Sequence, residues 1–183
     1  MNQVDGVYTK QEYNNVLSYL QATYPQIALF WLLGCDTGYR VSDILRLRVS
    51  DITPEGHIDI LERKTGKRKS QQLSSSVNAK YYAYIAKYGL SGDDYIFADT
   101  SRGGDRPVTR QYVWRIIRQA GQMVGLPRLN LEHIALARHM HGRYSLVLPH
   151  STKHSEPSIT SISQLRSGMS KSEWNSFLRG LME

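Results

Sequence analysis

Asp36-Thr37-Gly38-Tyr39-Arg40-Val41-Ser42-Asp43-Ile44-Leu45-Arg46-Leu47 follows an apolar run, Ile27 to Gly34, and leads into a second periodic segment. The string predicts a helix, a sharp turn at Gly38 and a new helix that opens on Arg40 and ends near Arg48. The first N–H groups of a helix lack partners and its dipole is positive there, so an arginine in that first turn is well aimed at an anion such as phosphate. Asp43, three residues on, shares a helix face with Arg40 and is expected to brace it. Val41, Ile44 and Leu45 fill the opposite face. An ordinary amphipathic helix with a surface arginine has the same spacing, because short motifs recur by chance.

Upstream, Thr9 and Glu12 form a capping-box pattern ahead of Tyr13, Val16, Leu17 and Leu20, which recur at helical spacing. Pro25 opens a second helix, Gln26 to Gly34, apolar nearly all round and therefore central. Downstream the period changes. Ile58, Ile60 and Glu62 alternate with Asp59, Leu61 and Arg63, and a second polar strand ends near Leu73, so a β-hairpin turning at Thr65-Gly66 is expected. Ser74 to Ser76 cap a helix carrying Tyr81, Tyr84, Ile85 and Tyr88 that stops at Gly89. Tyr95-Ile96-Phe97 reads as a short buried segment, and residues 101–107 as an exposed basic loop. Thr109 caps a helix with Val113, Ile116, Ile117, Ala120 and Val124 on one face, ended by Gly125 and Pro127. Asn130 caps a further helix through Arg143. The fold class is therefore mainly α with a small β-hairpin, α+β.

The chain of 183 residues fits one domain of ordinary size, residues 1–144, followed by a Ser-rich tail, 145–183, with a weak apolar pattern that reads as partly disordered. The net charge of +7 points to a polyanionic partner, nucleic acid first. The basic residues are spread from Arg40 to Arg143, which favours a folded binding surface over a charged tail. The single cysteine, Cys35, sits in an apolar run; it excludes a disulfide framework, fits a cytoplasmic setting and reads as a small buried residue. No stretch has membrane-spanning length, so no membrane partner is expected.

Thr37-Gly38-Tyr39-Arg40-Val41-Ser42-Asp43-Ile44-Leu45-Arg46-Leu47, followed by Val49-Ser50-Asp51-Ile52, resembles the first arginine box of the tyrosine recombinases, the phage integrase family. The succession of box, hairpin, helix, basic loop and helix matches as well, so the resemblance covers roughly residues 7–128. It implies a recombinase catalytic-domain fold and site-specific recombination or integration, with DNA cut and rejoined through a phosphotyrosine and no metal or cofactor. A tyrosine must attack phosphorus, cations must stabilise the non-bridging oxygens, and an acid must protonate the leaving 5′ oxygen. By resemblance Arg40 is one such cation and Lys64, in Lys64-Thr65-Gly66, is the general acid. A lysine can give up its proton where an arginine cannot. A solvated hairpin charge is the plainer reading of Lys64, and Lys67, Arg68 and Lys69 beside it suit backbone phosphate. Arg102, Arg106 and Arg110 complete the expected DNA-binding set on double-stranded DNA, where members of the family assemble as tetramers.

The second family box, His-x-x-Arg, matches less closely. His133 and Arg138 are five apart, which places them on different helix faces, and Ala135 stands where the histidine belongs. Arg138 is the expected second arginine, with the adjacent His139 as its partner. No residue matches the family's nucleophilic tyrosine: Tyr144 is the last tyrosine, six residues past Arg138, and reads as a packing residue. The implied activity therefore includes a degenerate or inactive form. A neighbouring reading frame compatible with the codons of Glu132 to Tyr144 spells Thr-His-Ser-x-Arg-x-Thr-Tyr-Ala, the family's second box, which suggests a frameshift near residue 131. The family's N-terminal clamp domain is also expected to be missing, since only eight residues precede the first helix.

Two other classes compete. A non-catalytic DNA-binding regulator on the same fold needs the basic surface and no tyrosine. A metal protein would use the histidines at 133, 139, 141, 150 and 154, but only His150 and His154 have a helical pair spacing, without the glutamate of a zinc helix.

Overall fold

The computed structural model describes residues 9–129 and 131. Two helices, α1 (Lys10–Thr23) and α2 (Pro25–Thr37), are followed by a single short turn of helix, α3 (Val41–Leu45). A two-stranded antiparallel sheet, β1 (His57–Leu61) with β2 (Arg68–Gln72), leads to α4 (Ser75–Tyr88) and α5 (Arg110–Met123). The expected order of helices around one small hairpin is present.

Helix α2 is the centre. Ile27 through Cys35 are all buried along it, because α1, α4, α5 and α3 pack around it on different sides. A helix that is apolar all round has no face left for water. Phe30 meets Phe97 edge to face at 5.8 Å, which brings the 95–97 segment under the helix. Cys35 is buried here, and burial pushes its thiol pKa up, away from the thiolate a nucleophile needs.

The caps behave as their residue types dictate. Thr9 Oγ1 accepts from the Glu12 amide at 3.1 Å while Glu12 Oε2 accepts from the Thr9 amide at 2.9 Å, a reciprocal pair that contributes about 1 kcal/mol. Thr109 accepts from the Tyr112 amide at 3.1 Å and starts α5. At Ser74 the position is as expected but the chemistry differs: no side-chain cap bond forms, and its own amide donates to Asp36 Oδ2 at 2.8 Å. An acid in the opening stretch thereby fastens the start of α4 to the end of α2. Near the C-terminal end of α5, Gly121 has Leu129 so close that a Cβ would lie 2.6 Å from the leucine Cβ, so only glycine lets the 126–129 turn fold back on the helix.

Two boundaries differ from the sequence expectation. The helix after Gly38 stops at Leu45 rather than Arg48. The backbone beyond it is taken by a distant partner: Leu47 carbonyl accepts from the Ile96 amide at 3.0 Å, and the Val49 amide donates to the Asp94 carbonyl at 3.0 Å. Tertiary pairing with the 94–96 segment outweighs a modest local helix preference. The hairpin turn is also wider than two residues. Glu62 and Lys67 close it, the Gly66 amide donates to the Glu62 carbonyl at 2.8 Å, and Gly66 adopts a left-handed φ of 64°. The helix expected from Asn130 to Arg143, the residues Arg138, His139 and Tyr144, and the tail 145–183 lie outside the described residues. Among the described residues, no helix is long and apolar enough to cross a membrane.

Candidate functional site

The site is built at the junction of α2, α3 and the hairpin. Thr37 ends α2 by donating its hydroxyl to the Leu33 carbonyl at 2.7 Å and accepting from the Tyr39 amide at 3.2 Å. Gly38 then takes a left-handed φ of 63°, a conformation glycine adopts without strain. Tyr39 turns inward and is buried; its hydroxyl donates to the Ile58 carbonyl at 3.2 Å and lies 3.4 Å from the Lys69 carbonyl. One residue thus pins the Gly38 turn to both strands of the hairpin. Arg40 follows with extended backbone, φ −65° and ψ 144°, as the residue just ahead of α3.

That backbone decides where the guanidinium goes. Arg40 precedes the helical turn, and its side chain crosses to the hairpin, where Nη1 lies 2.5 Å from Glu62 Oε1. The brace expected from Asp43 is therefore supplied by Glu62. Asp43 is buried and faces Arg46 at 3.7 Å, and it adds only the last of the electrostatic influences on Arg40. With α3 only five residues long, the cation at this place is the Arg40 side chain and not a helix N-terminus.

Glu62 collects three partners. Its Oε1 also lies 2.6 Å from Lys69 Nζ, and its Oε2 accepts from the Thr65 hydroxyl at 2.7 Å. The strand geometry makes this reachable. Ile60 pairs with Lys69 across the sheet, so Glu62, two residues further on the same face, is diagonal to Lys69. Arg40 first, then Lys69 and Thr65, hold the Glu62 carboxyl down, from its ordinary 4.5 to about 2. The Glu62 side chain is 4% exposed, while those of Arg40 and Lys69 are 42% and 39% exposed. An acid lies beneath, and two cations with outward faces lie above.

The other expected residues are distributed differently. Lys64 is exposed in the hairpin loop, and its side chain makes no hydrogen bond or ion pair among the described residues. Lys67 and Arg68 are exposed along the same hairpin. Arg102 pairs with Asp99 of its own loop at 3.8 Å, and Arg106 and Arg110 are exposed on either side of the start of α5. Of the expected set, then, the structure brings Lys69 to Arg40 through Glu62, and Lys64 stands exposed within the loop that Glu62 and Lys67 close. Among the described residues there is no cluster of three or more residues able to hold a metal ion.

Two contributors were missed in the sequence. Glu62 was legible: the alternation that buries Ile58 also buries Glu62, and a carboxylate on an inward face needs charged partners. Tyr39 carried no such signal, since its partners are backbone carbonyls far along the chain. On α5, Arg115 lies over Tyr112 at 5.5 Å and Arg118 over Trp114 at 5.2 Å, which adds two exposed cations to the basic surface.

Comparison with known proteins bears on the family and the fold. Residues 7–143 match the phage integrase family. The probable integrase/recombinase YoeC of Bacillus subtilis is 25% identical over 164 residues, spanning 87% of this chain and 88% of YoeC. The tyrosine recombinase XerA of Pyrococcus furiosus is 24% identical over 119 residues, 64% of this chain and 41% of that protein. Among solved structures, the lambda integrase catalytic core superposes with a TM-score of 0.60 at 21% identity, over 85% of this chain and 96% of the core. A XerA recombinase crystal structure gives a TM-score of 0.63 at 14% identity, over 92% of this chain and 65% of that one. At these identities the solved structures speak for the fold.

Proposed function

The chain belongs to the phage integrase family, and on that premise we propose that it is a site-specific DNA recombinase that cleaves and rejoins double-stranded DNA through a phosphotyrosine intermediate. The observation that supports this reading best is the place of Arg40: a guanidinium held at one nitrogen by a buried carboxylate and exposed at its outer edge, beside a basic hairpin. Such a group meets the negative charge that builds on the non-bridging oxygens of a phosphodiester under attack. In the cleavage step a tyrosine oxygen forms a bond to phosphorus and the bond from phosphorus to the 5′ oxygen breaks. A proton delivered to that oxygen completes the step, and Lys64 at the hairpin turn is the donor in this proposal. Arg138, with His139, supplies the second cation. Lys67, Arg68, Lys69, Arg102, Arg106 and Arg110 contact backbone phosphate, which positions the duplex without reading its sequence. Lambda integrase structures of similar fold include one bound to DNA and a tetramer bound to a Holliday junction, and the same assembly on DNA is proposed for this chain. The working compartment is then the cytoplasm, where the DNA lies.

The test is a covalent trap. Nicked suicide duplexes made from the DNA flanking the gene are incubated with the full chain and resolved under denaturing conditions. A protein–DNA adduct is expected, and mass mapping of it locates the nucleophile. Arg40→Ala should lower its rate by about a hundredfold or more, the usual loss when a donor to the transition-state oxyanion is removed. Wild-type protein that binds these duplexes yet forms no adduct would overturn the cleavage reading.

A further inference from the structure

We propose that Glu62 is a positioning residue, holding Arg40 and Lys69 together from below so that the free donors of both cations face one phosphate of bound DNA. The inference rests on the reading that Arg40 meets DNA phosphate.

This buried carboxylate holds two cations. Arg40 and Lys69 come from different elements and carry like charge, yet one oxygen of Glu62 lies 2.5 Å from the first and 2.6 Å from the second. Two unit charges that close repel, and the shared carboxylate is what makes the arrangement favourable. The contact uses one nitrogen of a guanidinium that has five N–H donors and one direction of an ammonium that has three. The remaining donors sit on side chains that are 42% and 39% exposed. Glu62 itself has little freedom, because Thr65 holds its second oxygen at 2.7 Å and Tyr39 ties the strands on either side of it to the Arg40 turn. The result is a pre-ordered pair of cations whose ordering entropy is spent in folding and not on arrival of DNA.

The opposite role is also chemically sensible: an acid that competes with DNA for the two cations and weakens binding. The two roles differ in the sign of one coupling, measured by equilibrium binding of a fluorescent duplex to the full chain. Arg40→Ala is expected to weaken binding about tenfold in the wild-type background, the usual range for a hydrogen bond to a charged group. If Glu62 positions Arg40, the same substitution costs less than about threefold in the E62Q background, where the cation is no longer held in place. E62D keeps the charge and withdraws the oxygens by one methylene, so it should reduce the cost of Arg40→Ala in the same way. Thermal melting checks that each variant folds. Should either lose its cooperative melt, Thr65→Val, which removes the hydroxyl that steadies Glu62, repeats the cycle. An Arg40→Ala cost that is equal or larger in the E62Q and E62D backgrounds overturns positioning while leaving the function proposed above intact. If Arg40→Ala costs nothing in the wild-type background, the phosphate reading of Arg40 fails, and this proposal fails with it.

Discussion

The two faces of the hairpin carry similar residue types in opposite circumstances. On one, Ile58 is fully buried, Ile60 is half-buried, and Glu62 is enclosed by Arg40, Lys69 and Thr65. On the other, Leu61 is 67% exposed, with Arg63 and Arg68 in solvent around it. An aliphatic residue and a basic residue occur on each face. What separates them is that the first face lies on the α2–α3 junction and the second on nothing among the described residues. A charge on the first face has a fixed address, and a charge on the second is free to follow whatever it meets. The difference is one of order: Glu62 fixes the cations of the first face, and nothing comparable holds those of the second among the described residues.

The comparison can be broken most directly by removing its floor. Ile58→Ala should cost about 2–5 kcal/mol, the range for a truncated core aliphatic, whereas Leu61→Ala should change stability by no more than about 0.5 kcal/mol. Denaturant unfolding of both variants measures this, and equal losses would mean that the faces are not distinct. Acid supplies the next test. The Glu62 pKa is depressed in the folded chain, so its contribution to stability is full above the ordinary value of 4.5 and is lost as pH falls towards about 2. The melting temperature of the wild type should drop more steeply across that window than that of E62Q, which has no carboxyl to titrate there. Parallel curves would show that the enclosed carboxylate does not behave differently from an exposed one. The smallest effect sharpens the picture: Tyr39→Phe deletes the hydroxyl that joins the Gly38 turn to the hairpin and should cost about 1 kcal/mol in the same denaturant experiment. A neutral result would leave Glu62 as the main link between the two elements.

Much of the fold was legible because its causes are local. Thr9 with Glu12, Thr109, Gly38 and Gly89 mark helix ends through interactions spanning a few residues. The unbroken apolar run of α2 announces a central helix, and the alternation of Ile58, Ile60 and Glu62 announces a strand with one inward face. The site was legible in part. Arg40 stood out from its motif, and the hairpin lysines from their charge. Its wiring did not. Asp43 was the near partner on an assumed helix face, but Arg40 sits ahead of that helix, and the acid that meets it comes from the hairpin. Lys64 drew attention through its family position, while Lys69, on the inward face, is the lysine that shares a carboxylate with Arg40.

The sequence by itself determined the order of elements, the turn at Gly38, the capping of α1 and α5, and the family that the Arg40 box announces, since each of these depends on residues that touch within a turn or two of chain. Only the tertiary structure decided where α3 stops, which acid holds Arg40 and which lysine joins it. Those outcomes depend on the backbone of residues 94–96 competing for residues 47–49, and on strand pairing that sets Lys69 diagonal to Glu62. None of the three has a cause within reach of neighbouring residues; all are settled when distant segments pack and their polar groups must find partners.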